Sequence, residues 1–376
     1  MIYRALAILM MTVFFPFACL VLLIYAGFCF YVFKAFKWLN FSKVNTSNNT
    51  GVSIIVPFRN EADNIVPCIE AIAQQSNCDF PFEIILVNDH SDDDSLHVIR
   101  AYQSSLDVTT ITSDGEGKKA ALLTGIQAAK HPVIHTIDAD CRMGKQCLSA
   151  MHQVYTGGDL NMLCGLVSYQ AKGVFGSLQQ AESVALVGIS AFMLNSGRPA
   201  TCNGANLMFS KAMFERVGGY GTDQKLSSGD DDLLMQTFAT YQPDKVMYAT
   251  IPTAVVYTAA ESSIKAFVSQ RMRWTSKRRS YKYYYNTILM LMLLSKQLVF
   301  WMAFGVATVF GSPWLYLINL VLLMSDALLY VRFRQMLPLK WYTLVLMPFY
   351  QLYIFIIPVF NLFVRNTWKG RVVVKG

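Results

Sequence analysis

Apolar and polar positions fall into three regimes along the 376 residues. Residues 6–33 form one uncharged apolar run ahead of Lys34 and Lys37. The run is longer than the core of a secretion signal and has no small-residue cleavage site, so it reads as a retained membrane anchor. Residues 40–50 are polar and rich in Asn and Ser, as in a linker. From residue 52 short apolar runs alternate with amphipathic ones. Strands are expected at 53–56, 83–87, 108–111 and 133–137, and helices at 61–75, 95–102 and 118–130, the first with Ile65, Ile69 and Ile72 at helical spacing. That alternation predicts a parallel sheet with helices on both faces. After residue 140 the rhythm loosens. Helices are expected at 175–194, 211–217, from Leu233 onward and at 264–274, with short strands at 207–209, 246–250 and 254–257.

Beyond Tyr285 the chain is apolar again, and 287–310, 314–329 and 342–364 each approach the length needed to cross a bilayer. Three full crossings would put Arg365, Lys369, Arg371 and Lys375 on the side opposite Lys34 and Lys37, against the positive-inside bias. Pro348, Pro358 and Lys296 interrupt these segments, so one is expected to be re-entrant or interfacial, with the C-terminus inside. The expected organisation is an anchor at 1–33, a linker at 34–50, a cytosolic domain at 51–285, membrane or interfacial helices at 286–364 and a basic tail at 365–376.

Composition agrees with a membrane protein: 54% of residues are hydrophobic and 15% charged. The formal charge of +8 does not point to nucleic acid, because Lys34, Lys37, Lys277, Arg278, Arg279 and Lys282 crowd beside apolar spans. Eight scattered cysteines without a C-x-x-C pair, and five histidines without ligand spacing, suggest neither a zinc site nor a disulfide framework.

Candidate chemistry begins at 133–140, an apolar run ending in Asp138 and Asp140. If the strand continues through them, both carboxylates share one face and can address one hard cation; an ordinary polar turn is the other reading. A second acidic cluster, Asp230-Asp231-Asp232, stands before the helix from Leu233, and can equally be an N-terminal cap. Val56-Pro57-Phe58-Arg59-Asn60-Glu61 ends the first strand, Leu86-Val87-Asn88-Asp89-His90-Ser91 the second, and Gly117-Lys118 opens the third helix. Gln270-Arg271-Met272-Arg273-Trp274 lies on the amphipathic segment 264–274.

Together these stretches resemble the inverting family 2 glycosyltransferases, in the membrane-bound branch of polysaccharide synthases and lipid glycosyltransferases. The resemblance covers roughly residues 52–274. It implies an α/β, GT-A-type nucleotide-sugar-binding domain with a mostly parallel sheet, and transmembrane helices at both ends. Pro57, Glu61, Asp89, Lys118, Asp138 and Arg273 would bind the donor, and Asp138 with Asp140 would hold Mn²⁺ or Mg²⁺. Asp231 would be the catalytic base, with Asp230 or Asp232 as a substitute; Gln270 and Trp274 would meet the acceptor. Asn88 and His90 stand where the family has Asp and Gly. Asn203-Gly204-Ala205-Asn206 and Gly218-Gly219-Tyr220 resemble segments near the acceptor pocket, and Trp368-Lys369-Gly370-Arg371 a tail seen in relatives.

The function implied is transfer of a sugar from a nucleotide-diphosphate donor, UDP-sugar first, to a lipid or glycan hydroxyl at the cell (inner) membrane. The domain would face the cytoplasm and contact membrane lipid, and no nucleic acid would be involved. A processive polysaccharide synthase and a non-catalytic scaffold are the alternatives. A transporter is disfavoured, because Lys296 and Asp326 read as isolated charges within their spans.

Overall fold

The computed structural model describes residues 10–38, 49–102, 108–221, 231–275, 283–355, 357, 367–368 and 371–372. The chain falls into two compact units, Lys37–Tyr283 with Phe360–Gly376, and Met1–Phe36 with Tyr284–Val359.

The first unit is a mixed α/β domain. Its seven-stranded sheet runs β3-β2-β1-β4-β8-β6-β9. The strands are β1 Val52–Phe58, β2 Phe82–Asn88, β3 Val108–Thr112, β4 Val133–Thr136, β6 Met162–Cys164, β8 Leu207–Ser210 and β9 Val246–Tyr248. The first four are mutually parallel; β8 runs against both β4 and β6, and β9 is parallel to β6. A second sheet carries β5 Cys141–Met143, β10 Val255–Ala259 and β7 Leu166–Gln170 in that order. All seven residues of β1 are buried, as a central parallel strand covered on both faces requires.

Helices α2 Ile65–Ala73, α3 Ser95–Tyr102 and α4 Lys118–Ala128 follow β1, β2 and β3. Ile65, Ile69 and Ile72 of α2 join the core with Ile54, Val56 and Leu86. Helix α4 lies so close to the sheet that a Cβ at Gly125 would come within 2.5 Å of Ile55 and 3.0 Å of Val87, which fixes glycine there. The later helices of this unit are α5 Cys147–Gly157, α6 Gly173–Leu194, α7 Lys211–Arg216, α8 Asp232–Tyr241 and α9 Ile264–Thr275. Thr367–Trp368 pairs antiparallel with Arg371–Val372.

One polar tie joins the two sheets at depth. Asn206, fully buried, donates through Nδ2 to the carbonyls of Leu166 (2.9 Å) and Ala254 (3.1 Å). Its Oδ1 is therefore the acceptor for His135 Nε2 on β4, 2.9 Å away, which places the imidazole proton on Nε2.

In the second unit helix α1 Phe15–Ala35 packs beside α10 Tyr285–Phe310 and α11 Pro313–Phe333. The buried stripe Ala18, Val21, Tyr25 and Cys29 packs with Val299, Ala303, Ala307, Ile318 and Leu322, with alanines allowing close approach. Leu20, Leu23, Ile24 and Phe30 remain outward, as lipid-facing positions would. Among the described residues three helices, Thr12–Ala35, Tyr285–Phe310 and Pro313–Phe333, are long and apolar enough to span a bilayer. Of the third C-terminal segment, the described residues give α12, Tyr342–Tyr350, within an apolar stretch Tyr342–Phe355, and 356 and 358–364 lie outside the described residues.

The reading of Lys296 and Asp326 as isolated charges is corrected. Lys296 Nζ lies 2.7 Å from Asp326 Oδ2, and Tyr25 Oη donates to Asp326 Oδ1 at 2.5 Å. Gln351 Oε1 accepts from Lys296 at 3.4 Å and also from Gln297 Nε2. Three helices thus share one charged cluster, which spacing along the chain could not reveal.

Candidate active site

The loops after β1 and β2 are tied together. Arg59 Nη1 donates to the carbonyls of Asp89 and His90, both at 3.0 Å, and Asn60 Oδ1 accepts from the Asp92 amide. His90 has φ +54°, the left-handed region that favours glycine, and so holds here the conformation that glycine would adopt freely. Asn88 Oδ1 caps this turn through the Ser91 amide at 2.9 Å. Pro57 sits in a central strand where a missing amide would ordinarily break a ladder. Strand β4, however, pairs only as far as Ile55 opposite Thr136. Asp89 is buried, and its Oδ1 accepts from the Gly117 amide at 2.8 Å, so its carboxylate anchors the turn that opens α4. Glu61 Oε2 accepts from Asn64 within its own turn at 2.8 Å.

A cavity of about 290 Å³ opens beyond these strand ends. Lys118, Asp138 and Asp140 line it together with Asp231, Gln270, Arg273 and Trp274. Pro57, Glu61 and Asp89 are not among its lining residues. Asp230 lies outside the described residues.

The strand geometry expected for Asp138 and Asp140 is corrected. Strand β4 ends at Thr136, and the two aspartates occupy a turn closed by the Cys141 amide on the Asp138 carbonyl at 3.0 Å. They reach one cavity through this turn and not through strand alternation. Lys118 Nζ lies 2.6 Å from Asp138 Oδ1, with both side chains partly exposed.

Asp231 caps α8. Its Oδ1 accepts from the Asp232 amide at 2.7 Å and its Oδ2 from the Gly204 amide at 3.2 Å. Asp232 is fully buried and holds the cavity loop from below, accepting from Thr201 Oγ1 (2.8 Å) and the Cys202 amide (2.7 Å). Of these two, Asp231 is the more accessible to a substrate. Cys141 and Cys202 also line the cavity. Burial pushes both thiols well above their ordinary pKa, helped for Cys141 by Asp140 and for Cys202 by Cys164, so neither is a thiolate.

Helix α9 contributes the last wall. Gln270 donates to Glu261 Oε1 at 2.7 Å and accepts from Tyr169 at 3.3 Å. Arg271, which sequence reasoning passed over, is buried. Its Nε and Nη2 meet Glu182 Oε1 and Oε2 at 3.2 and 2.5 Å. A signal was available, since Glu182 is the lone charged residue in the 22-residue helix α6.

Residues 53–218 match the model of Glycosyl transferase family 2. The chain is 29% identical over 126 residues to the glycosyltransferase AglE of Haloferax volcanii, covering 33% of this chain and 41% of that one. It is 23% identical over 256 residues to the poly-beta-1,6-N-acetyl-D-glucosamine synthase of Staphylococcus epidermidis, covering 66% and 60%. The chain thus spans about half the length of these curated relatives. Among solved structures it is similar to the mannosyltransferase PcManGT from Pyrobaculum calidifontis in complex with GDP-Man and Mn²⁺. The TM-score is 0.56 and the identity 17%, over 93% of this chain and 98% of that one, a likeness of GT-A-type fold.

Proposed function

We propose that the chain is a membrane-bound inverting glycosyltransferase. It moves a sugar from a nucleotide-diphosphate donor, UDP-sugar first, to a hydroxyl of a lipid or glycan acceptor. What carries the reading is that Lys118, Asp138 and Asp140 line the same cavity as Asp231, Arg273 and Trp274. A single in-line displacement needs charge stabilisation on the departing diphosphate and a base on the opposite face of the sugar.

Asp231 takes the acceptor proton. Each of its oxygens is oriented by a backbone amide. Asp230 belongs to the same acidic step. Arg273 offers its fork to the diphosphate, and Lys118 a point charge. Gln270 and Trp274 form the acceptor side, the indole serving as a platform for a sugar's C–H face. Pro57, Glu61 and Asp89 shape the nucleotide side, Asp89 by fixing the turn at Gly117.

Asp138 and Asp140 supply hard oxygen donors that suit Mn²⁺ or Mg²⁺. Among the described residues no group of three or more acidic, His or Cys side chains could hold a metal ion unaided. The fit is therefore to a site of two carboxylates completed by donor phosphates, a common arrangement for such ions. When bound, the cation neutralises charge on the leaving diphosphate. Lys34 and Lys37 after the first span favour a cytoplasmic catalytic domain on the cell membrane, beside membrane lipid.

The test is a screen of the purified full chain with several UDP- and GDP-sugars and Mn²⁺, with and without a membrane lipid extract. Release of nucleoside diphosphate from one donor, increased by the extract, is the expected result. No release from any donor in either condition would overturn the reading.

A further inference from the structure

Arg271 has four partners that together fix an orientation. Its guanidinium is clamped by both carboxylate oxygens of Glu182 on α6. Its central carbon lies 4.4 Å from the ring centre of Phe267 and 4.2 Å from that of Trp274. Nη1 also donates to Gln270 Oε1. The neighbouring contacts extend the clamp. Gln270 Nε2 donates to Glu261 Oε1, while Gln179 of α6 exchanges two 2.9 Å hydrogen bonds with the Glu261 backbone. Helices α6 and α9 are therefore joined by a polar seam, whose members Gln270 and Arg271 also line the cavity.

Resting on the glycosyl-transfer reading, we propose that Glu182 and Arg271 are positioning residues that hold Trp274 at the acceptor side of the cavity. The guanidinium, which also lines the cavity, lies over the Trp274 ring, and Glu182 fixes it in turn. A two-toothed carboxylate clamp sets the position and tilt of the fork, which a point charge could not do. The clamp also divides labour between the two arginines of the motif. Arg271 is 4% exposed, and its charge is matched by Glu182. The donor diphosphate accordingly falls to Arg273, two residues on, which lines the same cavity. Phe267 and Glu182 specify the acceptor platform although neither lines the cavity.

The experiment uses the full chain in membranes, the active sugar nucleotide from the screen and a titration of membrane lipid extract. Two rates are read: donor hydrolysis without extract, and transfer with it. For Glu182→Gln and Arg271→Lys the ratio of transfer to hydrolysis falls about tenfold, with a matching rise in the extract concentration giving half-maximal transfer. Arg271→Lys is the discriminating variant, since it keeps the charge and loses the plane. If Arg271→Lys keeps the wild-type ratio and extract dependence, the pair only balances charge and the inference is overturned. A variant that merely misfolds lowers both rates in proportion, leaves their ratio unchanged, and also overturns it. A wild-type chain that turns over no sugar nucleotide sinks the glycosyl-transfer reading itself, a result distinguishable from wild-type turnover with unaltered variants.

Discussion

At the residue scale, the two aspartate groups carry separable burdens. Asp140→Ala removes a hard oxygen donor from an exposed turn, and Asp231→Asn keeps the shape of the α8 cap while removing the basic oxygen. Loss of a positioned base costs about 10²- to 10⁴-fold, and loss of a cation ligand removes charge stabilisation from the leaving diphosphate, so each variant should abolish measurable transfer while melting close to wild type. Full activity in either variant would strip that residue of its role. Lys118, Asp138, Asp140, Asp231, Gln270, Arg273 and Trp274 are legible in the sequence through the resemblance of their stretches to family motifs, and they line one cavity. What could not be read was how each is held. That Lys118 meets Asp138, or that Asp89 spends an oxygen on the Gly117 amide, depends on loops converging in space.

At the element scale, the first half of the sheet was legible because each parallel strand is a short apolar run followed by an amphipathic helix. The stretch from β5 to β7 was not. Its strands are three to five residues long, and Gly165 separates β6 from β7 without a turn signal. Helix α5 did leave a trace in the stripe Cys147, Leu148, Met151, Val154 and Tyr155, a helical spacing not recognised in the sequence. What binds these poorly marked strands to the rest is the Asn206 tie to His135. Burial lowers the pKa of His135 from 6.5 to about 4, with the Asn206 hydrogen bond opposing the shift. The folded imidazole stays neutral where the unfolded one takes a proton, so this contribution is complete above pH 6.5 and is lost as pH falls toward 4. By pH 5 the loss amounts to about 2 kcal/mol. Thermal midpoints between pH 7 and pH 5 should therefore fall more steeply for wild type than for His135→Gln, which can still donate to Asn206. Parallel slopes would show that His135 does not govern the acid side.

At the scale of the whole molecule, the sequence announced spans but not what organises them. Charges thirty residues apart look unrelated until α10 and α11 lie side by side, when Lys296, 1% exposed, meets Asp326 and Tyr25 closes the cluster from α1. Each of the three residues sits near the middle of its helix, so the cluster lies far from either end of the spans. In such surroundings an ionised group without a partner is costly, whereas an apolar replacement of the whole pair is not. Lys296→Met alone would leave the Asp326 carboxylate without its ammonium, and Asp326→Leu alone would leave the ammonium among apolar helices without a carboxylate. Each single variant should lose about 3–5 kcal/mol, seen as a fall in the thermal midpoint in detergent and in the amount of membrane-inserted protein. The double variant, Lys296→Met with Asp326→Leu, should recover most of that loss, because neither charge is then left alone. Additive losses in this cycle would mean that the two residues act independently, and that helix packing through Ala18, Ala303 and Ala307 holds the unit together without their ion pair.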